Sequence, residues 1–224
     1  MDNGAVELFK VALKDFQRSV EITRDVRFQA NLRLMRRQER SAYMVSFLSL
    51  YVIALSLLPN VIEIDPHKNQ LLLACSVILS VFVIFTSLID GSQNFYHQGE
   101  LLHRCARQVA TVYHELKNIQ AEKDLDAAWH DLRKLQSEYR HALDECPVNH
   151  ANCDFSGQKA RKPHLFPIDY GKNFHFLKRA WFYLHSWLGP NMWMWMHLAA
   201  IGAISVIVYI YVLKGSGSFG LTAK

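Results

Sequence analysis

Three stretches of this chain carry no Asp, Glu, Lys or Arg: residues 42–59, residues 71–89 (LLLACSVILSVFVIFTSLI) and residues 192–213 (MWMWMHLAAIGAISVIVYIYVL). A bilayer core of about 30 Å takes roughly 20 mostly apolar helical residues, so each run is long enough to cross. Leu, Ile, Phe and Val each contribute about −0.3 to −0.6 kcal/mol near a helix centre. The thirteen in the second run then give roughly −4 to −8 kcal/mol, and the nine in each of the others roughly −3 to −5. Three such runs in 224 residues are too many for the buried helices of a soluble core. The expected fold is all-α: a polytopic helical membrane protein with three transmembrane helices and a cytoplasmic helical bundle or hairpin.

Charge is as unevenly placed as hydropathy. Lys and Arg exceed Asp and Glu by five, and the excess flanks the runs. Arg24, Arg27, Arg33, Arg36, Arg37 and Arg40 precede the first. The loop PNVIEIDPHKNQ sets Lys68 against Glu63 and Asp65. Arg104 and Arg107 follow the second run; Lys159, Arg161, Lys162, Lys172, Lys178 and Arg179 precede the third, beyond which stand only Lys214 and Lys224. Every basic flank falls on the cytoplasmic side if the N-terminus is cytoplasmic and the C-terminus extracytoplasmic. Arg33, Arg36, Arg37, Arg40, Lys178 and Arg179 are then the expected contacts with the membrane surface. Tyr43, Tyr51, Trp181, Trp187, Trp193 and Trp195 stand near the span ends, where amphipathic rings are favoured. Early charges (Glu7, Lys10, Lys14, Asp15, Arg18) and the lack of an apolar segment with a small-residue cleavage site argue against a cleaved leader.

Between the spans the pattern is amphipathic. Val6, Phe9, Leu13, Phe16 and Val20 recur at helical spacing, and no Gly or Pro interrupts the chain from Arg24 to Arg40. Residues 1–40 therefore read as a cytoplasmic amphipathic helix running into a transmembrane hairpin, residues 41–91. Pro59 and Asn60 are expected to end the first span, and Asp90 and Gly91 the second. Residues 92–155 carry two seams, Leu102, Cys105, Val109, Val112, Leu116, Ile119 and then Ala128, Leu132, Leu135, Tyr139, Ala142, Cys146. They form either a hairpin or one long helix with a shifted seam. The run KDLD (residues 123–126) offers turn and cap residues together and favours the hairpin. Residues 156–190, with Pro163, Pro167 and Gly171, read as a basic and aromatic linker, residues 191–214 as the third span, and residues 215–224 as a flexible tail.

Candidate chemistry is sparse. CPVNHANC (residues 146–153) places two thiols around His150 without the second close pair that zinc favours. None of the eleven histidines forms an i, i+4 pair, and no phosphate-binding glycine loop or nucleophile elbow is present. No catalytic residue, metal site or cofactor is assigned, and the chain is expected not to be an enzyme. The cations of residues 156–180, interleaved with Phe166, Tyr170, Phe174 and Phe176, suit an anionic nucleotide, but more commonly reflect the positive-inside bias and anionic lipid. Ser76 and Ser80 in the second span and Ala199, Gly202 and Ala203 in the third permit close helix approach. His197 is the ionisable side chain inside a span, apart from Cys75 and the tyrosines; it lines a path or snorkels to the interface. Asp90 either lines a pore mouth or marks the exit from lipid. Three helices enclose little aqueous space, so a pore requires several copies.

Taken with these features, RFQANLRLMRRQERSAYMVSFLSLYVIALSLLP, LIDGSQNFYHQGELLHRCARQVATVYHEL and WHDLRKLQSEYRHALDECPVNHANCDF resemble the SLATT family over about residues 20–155. Those are bacterial membrane proteins with paired transmembrane helices and a cytoplasmic helical region. The resemblance implies an oligomeric inner-membrane effector of conflict and antiphage defence that forms pores or disrupts the membrane when a partner, often a nucleotide-signal system, activates it. On this reading the partners are the lipid bilayer, further copies of the chain and a defence-system component, with no direct DNA binding. The rival reading is a membrane-anchored scaffold that recruits a cytoplasmic partner and conducts nothing.

Overall fold

A computed structural model describes residues 3–61, 64–119, 124–170 and 175–210. Seven α-helices follow in order: α1 (Asn3–Val61), α2 (Pro66–Gln93), α3 (Phe95–Leu116), α4 (Leu125–Asp144), α5 (Asn152–Arg161), α6 (Pro167–Tyr170) and α7 (His175–Val208), with a 3₁₀ turn at Pro163–Leu165. No strand occurs among the described residues. The chain divides into two compact units, one of Met1–Arg36 with Phe95–Pro190 and one of Arg37–Asn94 with Asn191–Lys224.

The first unit is built on the amphipathic seams. Phe9 and Val20 of α1, Cys105, Val109, Val112 and Leu116 of α3, and Ala128, Leu132, Leu135 and Ala142 of α4 form one buried core. Phe16 meets Tyr139 edge-on at 5.5 Å and Phe9 meets Trp129 at 5.1 Å. Every α3 and α4 seam position except Leu102, which packs with Ala30, Leu34 and Phe95, lies in or against this core, so the two seams face each other as a hairpin. Asp124 starts α4, its carboxylate accepting from the Ala127 N–H at 3.1 Å, one of the orphan donors of a first turn. Residues 120–123, where the seam shifts, lie outside the described residues.

Residues 156–190 differ from the expected linker. They hold the end of α5, the 3₁₀ turn, α6 and the first half of α7. Leu165, Phe166 and Tyr170 form a small core backed by Ile22, Phe155 and Phe182. The prolines do not break this segment because they sit where their missing N–H costs nothing: Pro163 opens the 3₁₀ turn and Pro167 opens α6. Pro190 is internal to α7, and Gly189 before it has no Cβ to crowd the proline ring.

The second unit contains the three apolar runs. By length and composition, α1, α2 and α7 each suffice to cross a membrane. Their large apolar side chains point outward: Phe47, Leu50 and Ile53 on α1, Val77, Ile78 and Phe85 on α2, Met196 and Val206 on α7 are all exposed. So much outward apolar surface fits hydrocarbon and is foreign to a soluble monomer. Leu48, Leu55, Leu72, Leu79 and Val208 fill the interior.

Two expected span ends move. Pro59 lies in the last turn of α1, which continues to Val61. Helix α2 runs through Asp90 and Gly91 to Gln93, because the Asp90 carboxylate is bonded inside the unit instead of escaping to water. The break comes at Asn94, in the left-handed region at φ 50°, which Asn tolerates better than most residues. Residues 211–213 of the third span and the 214–224 tail lie outside the described residues.

Candidate functional site

Polar side chains gather inside the second unit, the reverse of a soluble protein. The buried stripe of α2 is Leu72, Ser76, Leu79, Thr86 and Asp90, one helical face that turns polar towards its C-terminal end. Asp90 is 5% exposed. Its Oδ2 accepts from the Ser41 hydroxyl of α1 and, at 3.2 Å, from Trp193 Nε1 of α7. Beside it Arg40 Nη1 donates to Asn191 Oδ1. One turn beyond Trp193, His197 is 1% exposed, its ring 5.1 Å from Trp193 and 5.6 Å from Phe82. His197 Nδ1 lies 2.8 Å from the Trp193 carbonyl, which can only accept, so Nδ1 donates there and in the neutral ring Nε2 is the acceptor. Nε2 of His197 and Oδ1 of Asp90 are buried without a hydrogen-bond partner among the described residues. Further along α7, Ser205 Oγ is 2.7 Å from the Tyr51 hydroxyl of α1. Asn191, Trp193 and His197 span about 9 Å along α7 at 1.5 Å per residue, and the apolar residues 198–204 separate them from Ser205.

The other small and polar residues singled out from the sequence sit apart from this cluster. Ser76 is buried, but its hydroxyl donates to the Leu73 carbonyl of its own helix, as Ser80 donates to Ser76, each at 2.8 Å. Ala199, Gly202 and Ala203 are exposed on α7, and a Cβ on Gly202 would meet nothing within 4 Å. Ser41, Asn191, Thr86 and Ser205 were not foreseen, and Tyr51 and Trp193 were expected only as rings at the span ends. For Trp193 and His197 the signal was present: they stand at i, i+4 on one helix face.

The family described as SMODS and SLOG-associating 2TM effector domain family 5 (SLATT) matches residues 10–211. The chain belongs to this family. No curated protein and no solved structure matches it. The SLATT match is longer than the stretch of about residues 20–155 legible by eye, and it takes in α7, so the third apolar helix lies within the matched region although the family description counts two transmembrane segments.

In this SLATT protein the cations of the first unit are tied down within the chain. Arg33 makes a two-pronged ion pair with Asp154, Nε to Oδ1 at 2.7 Å and Nη2 to Oδ2 at 3.0 Å. Burial opposes the charge on Arg33, but the Asp154 bond outweighs it and holds the guanidinium pKa above its usual value. Lys162 bridges Glu21 at 2.5 Å and Asp25 at 2.8 Å. Burial pushes the Asp25 carboxyl up, yet bonds from Lys162 and Arg24 hold it below the usual carboxylate value. Lys159 pairs with Asp169 at 3.0 Å, Lys178 Nζ donates to the Asp169 and Tyr170 carbonyls, and Arg179 Nε to the Ala160 carbonyl. Arg33, Lys178 and Arg179 thus bond within the chain, as Arg40 does to Asn191 although it is exposed; Arg36 is exposed and Arg37 half-buried. A nucleotide would have to displace these intrachain partners. Lys172 and Phe174 lie outside the described residues.

The cysteines are free, and no group of three or more His, Cys, Asp or Glu suited to a metal occurs among the described residues. Arg27 Nη1 donates to Cys105 Sγ at 2.9 Å, and Cys105 Sγ donates to the Ala142 carbonyl at 3.3 Å. Burial dominates and pushes the Cys105 thiol from 9.0 up to about 12, despite Arg27. At pH 8 iodoacetamide therefore labels Cys105 about 10³-fold more slowly than in the denatured chain, since only the thiolate reacts. Peptide mass spectrometry over a time course reads this out; equal rates in folded and denatured protein would contradict the buried environment.

Proposed function

We propose that this SLATT protein is a non-enzymatic effector of bacterial defence that assembles in several copies and permeabilises the inner membrane when a partner, such as a nucleotide-signal system, engages its first unit. The observation that supports this reading best is the buried polar cluster of Ser41, Asp90, Trp193 and His197 inside the spans. Burying Asp90 and His197 among membrane-crossing helices is costly, and intramembrane ionisable groups mark ion paths far more often than anchors. A recruiting scaffold needs only an apolar exterior. The Lys and Arg distribution supports an orientation with the N-terminus and first unit in the cytoplasm and the C-terminus outside.

Induced expression in a bacterium, followed with a membrane-potential dye, tests the reading. Cells accumulating the chain in the inner-membrane fraction are expected to depolarise before growth stops, and membrane-phase crosslinking is expected to yield species larger than one chain. Full membrane potential in cells whose growth has nevertheless stopped would favour the scaffold.

A further inference from the structure

Asp90 Oδ1 and His197 Nε2 are acceptors without donors in a region where an unsatisfied polar group costs several kcal/mol. Both belong to residues more than nine-tenths buried, and both are held on Trp193: Asp90 by the indole N–H, His197 by the main-chain carbonyl. Two fixed acceptors of this kind call for a ligand that brings a proton.

A metal cation fits poorly. Alkali and alkaline-earth ions take several oxygens at once, six to eight for calcium, whereas this node offers one carboxylate oxygen and one imidazole nitrogen. The interior of this unit is otherwise apolar, filled by Leu48, Leu55, Leu72 and Leu79. Protons need no such set of oxygens. They move by reorientation along groups that donate and accept in turn, and hydroxyls and imidazole are such groups: Ser41, bonded to Asp90, and His197 supply them at this node.

We propose that the ion carried is the proton, and that His197, assisted by Asp90, is its binding site within the span bundle. This rests on the permeabilising reading above. Nε2 gains one proton to give the imidazolium and later gives it up, while Nδ1 keeps its own on the Trp193 carbonyl; nothing is oxidised or reduced. Among the described residues, the charged groups at the site are Arg40 from α1 and Asp90 from α2; Tyr51, Cys75 and Tyr209 are the further titratable groups of these helices, two or more turns along them. Arg40 is already bonded to Asn191, and Tyr51 to Ser205. Asp90 is the anion that offsets an imidazolium in this interior.

The test uses the full chain in liposomes loaded with the pH dye pyranine, under a potential set by potassium and valinomycin, with sodium flux and calcein release measured in parallel. Wild-type vesicles are expected to pass protons while retaining sodium and calcein. Replacement of a proton carrier by a group that hydrogen-bonds but does not protonate, His197→Gln, is expected to lower proton flux about tenfold or more. Proton flux within about twofold of wild type in that variant would overturn the assignment, as would sodium or calcein escaping as readily as protons. Those two outcomes leave permeabilisation standing, whereas wild-type vesicles tight to every probe would overturn both. Should His197→Gln fail to insert, nitrogen-15 histidine NMR on the wild-type chain in lipid decides. Nε2 is expected to change from acceptor to protonated as pH falls, and an Nε2 unprotonated at every pH at which the chain stays folded would refute the site.

Discussion

Arg33→Ala is expected to destabilise the first unit by about 3–5 kcal/mol, because it strands a buried carboxylate. The Asp154 side chain is 3% exposed, and the Arg33 guanidinium covers both of its oxygens. Without Arg33 the remaining bond to Asp154 Oδ2 is the Ala151 N–H at 2.9 Å, a single dipole against a full charge. Set against a domain stability of about 5–15 kcal/mol, such a loss is large. The double replacement Arg33→Leu with Asp154→Leu separates charge burial from lost packing. It removes both ions and should recover most of the stability, less about 1 kcal/mol for the α5 cap that Asp154 provides. Denaturant unfolding in mild detergent, followed by Trp129 fluorescence, measures both variants. Were the single variant within about 1 kcal/mol of wild type, the pair would be a solvated surface contact instead.

Arg33 also shows what the sequence could and could not disclose. Its place in a basic cluster before an apolar run pointed to the lipid headgroups. The partner that claims it is 121 residues away, in a stretch that local signals marked as a loop end. Spans, seams and hairpin were legible because each is written in a local period: uncharged length for the spans, 3.6-residue recurrence for Val109, Leu132 and their neighbours. The turn at Asp124 was legible because a cap is chosen by its own residue. The breaks were misplaced where tertiary partners overrule a local stop signal. Asp90 looks like the end of a lipid-embedded helix until Ser41 and Trp193 are seen to bond it, and Pro190 looks like a boundary until α7 continues through it. The node was half visible. Asp90 and His197 stood out as ionisable groups at the spans, but nothing in their spacing ties them to each other, since they meet through Trp193 on separate helices.

Inserting two glycines between Arg40 and Ser41 is expected to uncouple the two halves of α1. Phe9, Val20, Ala30 and Leu34 are committed to cores of the first unit, Leu48 and Leu55 to that of the second, and α1 joins them as one helix from Asn3 to Val61. Each added residue rotates the helix by about 100° and lengthens it by 1.5 Å, so two turn the distal half by about 200° and advance it by about 3 Å. Either the added rotation passes into the distal half of α1, which carries Ser41 and Leu48, or the helix breaks at the glycines, each of which lowers helix stability by about 1 kcal/mol. If α1 transmits activation, growth arrest at equal membrane abundance should weaken by about 5–150-fold, the span of a coupling worth about 1–3 kcal/mol. Seven alanines at the same point rotate the helix by about 700°, within about 20° of two full turns. They return Leu48 and Ser41 to their original faces, and arrest should return with them where glycines weaken it. Undiminished arrest with the two glycines, with the chain still membrane-inserted, would mean that the first unit does not act through this helix.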